Sequence, residues 1–224
     1  MRNFALIVAG LVAAGASANV IIDDFSLAYS KTITSGSWVD YQSGAFLGGS
    51  GERDIEMRVL SNPLQQQLDL TITGSQLSIV SNGFQTLSRI SLQYDGFDDE
   101  AGNTGQNRLL TDSEFTGSKL AGNDKLVVKF LDNDLPVNVK AIVRNSGGII
   151  QQISQVRAAG AGAGDMVFDF GFANLQDARS VTFVFEADRS GDFAIEGIEA
   201  VPEPATMVAL GAGALALIRR RRSK

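Results

Sequence analysis

The sequence predicts an all-β body folded as a two-sheet sandwich. Three observations carry this: apolar residues recur with period two in short runs, turn-forming clusters separate the runs, and hardly a convincing helix lies between them. Successive side chains of a strand point to opposite faces, so alternation marks a half-buried strand. The first run is Val20–Phe25. Ile55, Met57 and Val59 then alternate with Glu56 and Arg58, and Leu68, Leu70 and Ile72 with Asp69, Thr71 and Thr73. Gln76–Ser81, Ile90–Tyr94 and Leu126–Leu131 follow, and Val137, Val139, Ala141 and Val143 alternate with Asn138, Lys140 and Arg144. Ile149–Val156, Met166–Phe170, the shared face of Val181, Phe183 and Phe185, and Phe193–Glu199 complete about eleven strands.

Turn chemistry supports each boundary. Ser61-Asn62-Pro63, Ser81-Asn82-Gly83, Asp132-Asn133-Asp134, Asn145-Ser146-Gly147-Gly148 and Ser190-Gly191-Asp192 are rich in residues that tolerate positive φ or bond their own backbone. Two longer gaps break the rhythm: the acidic stretch Asp95–Asp124, and Arg157–Asp165 with its Ala/Gly run, whose composition predicts a flexible segment. No fixed-period repeat is present, which argues against a solenoid or propeller.

Ile22-Asp23-Asp24-Phe25, Gly48-Gly49-Ser50-Gly51-Glu52-Arg53-Asp54-Ile55 and the closing Gly191-Asp192-Phe193-Ala194-Ile195-Glu196-Gly197-Ile198 give the body a resemblance to galactose-binding-like jelly-roll domains. The resemblance implies a jelly-roll-like β-sandwich whose first and last strands lie side by side. It also implies a structural calcium near them, for which Asp24 and Asp192 are the candidates.

Both ends read as addressing segments around this body. Met1-Arg2-Asn3, an apolar run over Phe4–Ala14 and an Ala16-Ser17-Ala18 exit are the three parts of a secretory signal peptide over residues 1–18, with cleavage after Ala18. The apolar run is shorter than the about 20 residues a membrane span takes. The body is then residues 19–200. Setting aside Arg2, Arg219, Arg220, Arg221, Arg222 and Lys224 leaves 13 of the 19 basic residues, and setting aside Glu203 leaves 24 of the 25 acidic ones. The body is therefore near −11 against −6 for the chain. So acidic a surface repels a phosphate backbone, and nucleic acid is not the expected partner.

The tail, residues 201–224, changes character. Pro202-Glu203-Pro204 is a stiff extended joint, because each Pro fixes φ and lacks an N–H. The uncharged run Ala205–Ile218 would rise about 21 Å as a helix, short of the ~30 Å hydrocarbon core. Helix extension or local thinning closes that gap. Arg219, Arg220, Arg221 and Arg222 then hold the end on the cytoplasmic side. In this order the parts resemble the PEP-CTERM sorting signal. The resemblance implies export through the inner membrane of a Gram-negative bacterium, transient membrane anchoring, and processing by an exosortase-type membrane protease. It also implies release to the envelope or extracellular space, in association with exopolysaccharide and biofilm.

The composition restricts chemistry. There is no histidine and no cysteine, which removes the usual neutral-pH general base, His-activated nucleophiles and His/Cys zinc sites. An enzyme is not expected. The densest carboxylate cluster, Asp95-Gly96-Phe97-Asp98-Asp99-Glu100, offers Asp98 and Asp99 as calcium ligands but lacks EF-hand spacing. A polysaccharide hydrolase, a further alternative, would draw its carboxylate pair from Asp98, Glu100, Asp112 and Glu114, and no spacing singles one out. For a carbohydrate-binding module that retains exopolysaccharide, the stacking residues would be Trp38, Tyr41 and Tyr94. Phe outnumbers Tyr and Trp by 13 to 4 and falls mostly on core-facing positions, so core packing competes for every aromatic.

Overall fold

The period-two runs become strands. The computed structural model describes residues 19–202, apart from 45, 48, 50, 82–84, 97–104, 107–118, 146–149 and 188. Outside the described residues lie Ala16 and Ala18 of the expected signal peptide, Asp98 and Asp99, and, in the tail, Glu203, Pro204, Ala205, Ile218, Arg219, Arg220, Arg221 and Arg222. The body is a jelly-roll-like sandwich of two seven-stranded sheets, antiparallel throughout.

The first sheet runs β12 (Gly164–Asp169), β9 (Lys125–Asn133), β14 (Phe193–Val201), β6 (Gln76–Ser81), β5 (Leu68–Thr73) and β2 (Tyr29–Ile33), with β1 (Val20–Asp23) also paired to β14. The second runs β11 (Ile150–Arg157), β10 (Val137–Asn145), β13 (Ala178–Ala187), β7 (Leu87–Asp95), β4 (Gly51–Ser61), β3 (Ser37–Gly44) and β8 (Gly105–Gln106). Most connections cross from one sheet to the other, which ties the layers together. First and last strands lie side by side as expected: Val20 pairs with Ala200 and Ile21 with Glu199.

Alternation sets the core between the sheets. Leu68, Leu70 and Ile72 face Ile55, Met57, Ile90 and Leu92, all essentially without solvent contact. Each such side chain contributes about 1.5–3 kcal/mol on burial. Phenylalanine supplies the bulk, as the composition predicts. Phe185 stacks on Phe193 at 5.4 Å between centroids, and Phe130 meets both. Phe183 is packed edge-on by Phe168 and Tyr94.

The structure adds elements that periodicity did not show. β2, the last strand of the first sheet, and β3, which lies between β4 and the two-residue β8, carry polar sequences, Tyr-Ser-Lys-Thr-Ile and Ser-Trp-Val-Asp-Tyr-Gln-Ser-Gly, and are only partly buried. A five-residue helix, α1 (Phe172–Gln176), joins β12 to β13. The Ala/Gly run, expected to be flexible, makes the turn from β11 to β12 and is hydrogen-bonded to its neighbours. Arg157 donates from Nε to Asn133 Oδ1 (2.9 Å) and from its terminal nitrogens to the Gly162 and Gly164 carbonyls, while Gly160 N donates to Asn133 O (2.9 Å). Gly160 and Gly162, at φ 60° and 67°, supply the left-handed residues the turn needs.

Candidate functional site

The jelly-roll-like motifs at the two ends of the first quarter of the chain meet through one ion pair. Asp23 ends β1 and Arg53 lies in β4, and the two are fully buried. Arg53 Nη1 donates to Asp23 Oδ2 at 2.6 Å, and the Tyr94 hydroxyl donates to the same oxygen at 2.8 Å. Asp23 Oδ1 accepts from Phe25 N at 2.8 Å. The second guanidinium nitrogen reaches Leu27 O (3.0 Å) and Gln42 Oε1, and the Phe46 ring covers the cation at 4.8 Å. Burial raises the Asp23 carboxyl from its ordinary value, against the opposing Arg53 charge. Burial and the Asp23 charge push the Tyr94 phenol well up. This network fastens the segment after β1 to the second sheet.

That geometry corrects the proposed aromatic platform. Tyr94 is fully buried between the sheets with its hydroxyl on Asp23, so it cannot stack on an external ligand. Trp38 sits half-buried on the inward side of β3, and the Lys31 ammonium caps its ring 3.0 Å from the centroid. Tyr41, opposite Asp54 in β4, is on the outward side. The three aromatics do not form one surface, because neighbouring positions on a strand alternate in facing.

The calcium candidates are also apart. Asp24 is exposed beside Glu196 and Gly197, where its carboxylate accepts from Ser26 N (3.0 Å) and is held below its ordinary value. Asp192 stands at the start of β14 among Asp132, Asn133 and Asp134. It exchanges backbone contacts with Asp134: Asp192 N donates to Asp134 Oδ1 (2.6 Å) and Asp134 N to Asp192 O (3.1 Å). Its carboxylate accepts from Ser81 N (2.7 Å). Among the described residues no group of three or more carboxylates is disposed to hold a metal ion.

A face that sequence reasoning missed lies on the outward side of the second sheet. Cross-strand partners share a face, so register aligns Glu56, Ser91, Val184, Lys140 and Ser154 in one row. The next row is Tyr41, Asp54, Gln93, Thr182, Ile142 and Gln152. The β4/β7 half is covered: Glu52, Asp54 and Asp95 are fully buried, and Gln93 donates to Asp95 at 2.8 Å. The β13/β10/β11 half is open, with amide, hydroxyl and ammonium groups spaced around the aliphatic Val184 and Ile142. The polar alternates of β10, Asn138 and Lys140, were the available signal, but only register shows which residues of β11 and β13 stand beside them.

The third feature is the point where the tail leaves. β14 is a central strand, paired with β9 along nearly its whole length and with β6 and β1 on its other side. Its last residue, Val201, pairs with Lys125 and accepts from Asp124 N at 3.1 Å. Pro202 follows at once, so no spacer separates the sheet from the Pro-Glu-Pro joint. Among the described residues no helix is long and apolar enough to cross a membrane.

Comparison with known proteins gives distant structural likenesses for the body and a motif match at this end. The family 11 carbohydrate-binding module from Clostridium thermocellum, solved with a β-1,3-1,4-mixed-linked tetrasaccharide, is 11% identical over 83% of this chain and 98% of its own, at TM-score 0.38. A family 29 carbohydrate-binding module solved with mannohexaose is 15% identical over 78% and 92%, at 0.39. The enzymatically active domain of bacteriophage CBA120 tailspike protein 4 is 9% identical over 80% and 20%, at 0.38. Likenesses this distant assign no activity. No curated protein sequence matches the chain. Residues 200–222 match the PEP-CTERM protein-sorting motif, so the end that emerges from β14 is a C-terminal sorting signal of an exported protein.

Proposed function

We propose that the chain is an exported, non-enzymatic β-sandwich protein. It is held briefly in the inner membrane of a Gram-negative bacterium by its tail, then released by an exosortase-type protease to the envelope or extracellular matrix. The observation that carries this is the sorting motif over residues 200–222, with its joint directly after β14. The absence of histidine and cysteine from the whole sequence supports a role without catalysis. Mass spectrometry of the native protein from cells with and without the processing protease tests the sorting route. Loss of Lys224 only where the protease is present is the expected result. An intact C-terminus in both would leave a plain anchor.

The open half of the second sheet favours a more specific reading, that of a module retaining exopolysaccharide. Asn138, Lys140, Gln152, Ser154 and Thr182 offer donors and acceptors around Val184 and Ile142, the mixture a sugar face uses. Gel retardation by exopolysaccharide, weakened by the Gln152→Ala, Ser154→Ala pair, is the expected result. Migration unaffected by any polysaccharide would remove this reading.

A further inference from the structure

The two ends of the body emerge side by side. Val20 pairs with Ala200 at one end of the sandwich, where Lys125, Asp169 and α1 also lie. From Val201 only Pro202-Glu203-Pro204 separates the sheet from the apolar run that begins at Ala205. Three extended residues reach at most about 10 Å. We infer that this end of the sandwich abuts the lipid surface while the precursor is anchored, so the body is held upright in one orientation; the inference rests on the sorting reading above.

Further features of this end fit a lipid boundary. Lys125 is paired with Asp124 at 3.1 Å and lies 3.9 Å from Asp169, so its ammonium is locally neutralised. Ile21 and Val167, 55% and 42% exposed, share one cross-strand row on the outward side of the first sheet, linked through Glu199 and Val127. They stand one and two residues in from the strand ends, at headgroup depth in an upright body. The opposite end, with Asp132, Asp134, Asp192 and the turn at Ala158–Gly164, points away from the membrane. β14 has nine residues, which places that end about 30 Å farther out.

The chain has no cysteine, so single labels can be placed without background. Gln176→Cys, on the exposed side of α1, marks the near end, and Ala159→Cys, exposed in the far turn, marks the other. Each full-length variant is reconstituted into phosphatidylethanolamine/phosphatidylglycerol vesicles carrying a nitroxide headgroup lipid, a short-range quencher of a fluorophore on the cysteine. Several-fold stronger quenching at position 176 than at 159 is expected. A twenty-residue Gly/Ser insert between Val201 and Pro202 should abolish the difference while the protein still floats with the vesicles. Equal quenching without the insert, or a difference that survives it, would overturn the short-joint orientation alone. Failure to float would overturn the tail reading as well.

Discussion

Arg53 shows how much of this fold hangs on one side chain. A guanidinium without solvent contact is held by Asp23, Gln42, Leu27 O and the Phe46 ring. Removing one partner leaves the other charge buried and unpaired, which costs about 3–5 kcal/mol. Arg53→Met is therefore expected to lower stability by that amount in urea unfolding, while the Asp23→Asn, Arg53→Met pair should recover part of the loss. Asp192 provides the opposite case. Burial raises its carboxyl above the ordinary 3.8, with the Asp134 charge adding to this and the Ser81 amide opposing it. A carboxyl raised in the folded state is protonated there first, so its contribution improves as pH falls through the raised value towards 3.8. Asp192→Asn should melt higher than the parent at pH 7, and the gap should close as pH approaches 4. A constant gap would mean that the carboxylate is not the cause. Neither role was legible in the sequence. Period two puts Arg53 in phase with Ile55 and Met57, on the core-facing side, but nothing in the strand's own sequence names Asp23 or Tyr94 as its partners.

At the level of single elements, sequence pattern succeeded where one face meets the core and the other meets water. β5 and β6 satisfy this, and their boundaries, Leu68–Thr73 and Gln76–Ser81, agree with the periodic runs. It failed at β2, an edge strand, and at β3, flanked on one side only by the two-residue β8, because too few apolar residues there set a period. The turn between β5 and β6 makes a further expectation. Gly74 and Ser75 occupy left-handed conformations at φ 60° and 62°, as a two-residue hairpin turn requires. Serine is strained there and glycine is not. Ser75→Gly should stabilise the protein by a few tenths to about 1 kcal/mol, read as a higher urea midpoint with unchanged slope.

For the molecule as a whole, the fold class and the sorting tail were readable, because both rest on patterns local to the chain. The outward face of the second sheet was not, because it is assembled from β4, β7, β13, β10 and β11, distant in sequence and aligned only by register. The pairing of Val20 with Ala200 has one more consequence. A link of a few residues between these strand ends would turn the body into a cyclic polypeptide with little distortion of the native backbone. Unfolded, the ring loses conformational freedom that the linear chain keeps, up to about 4–5 kcal/mol in the chain-entropy picture. The cyclic body should therefore unfold at a higher urea concentration than its linear counterpart.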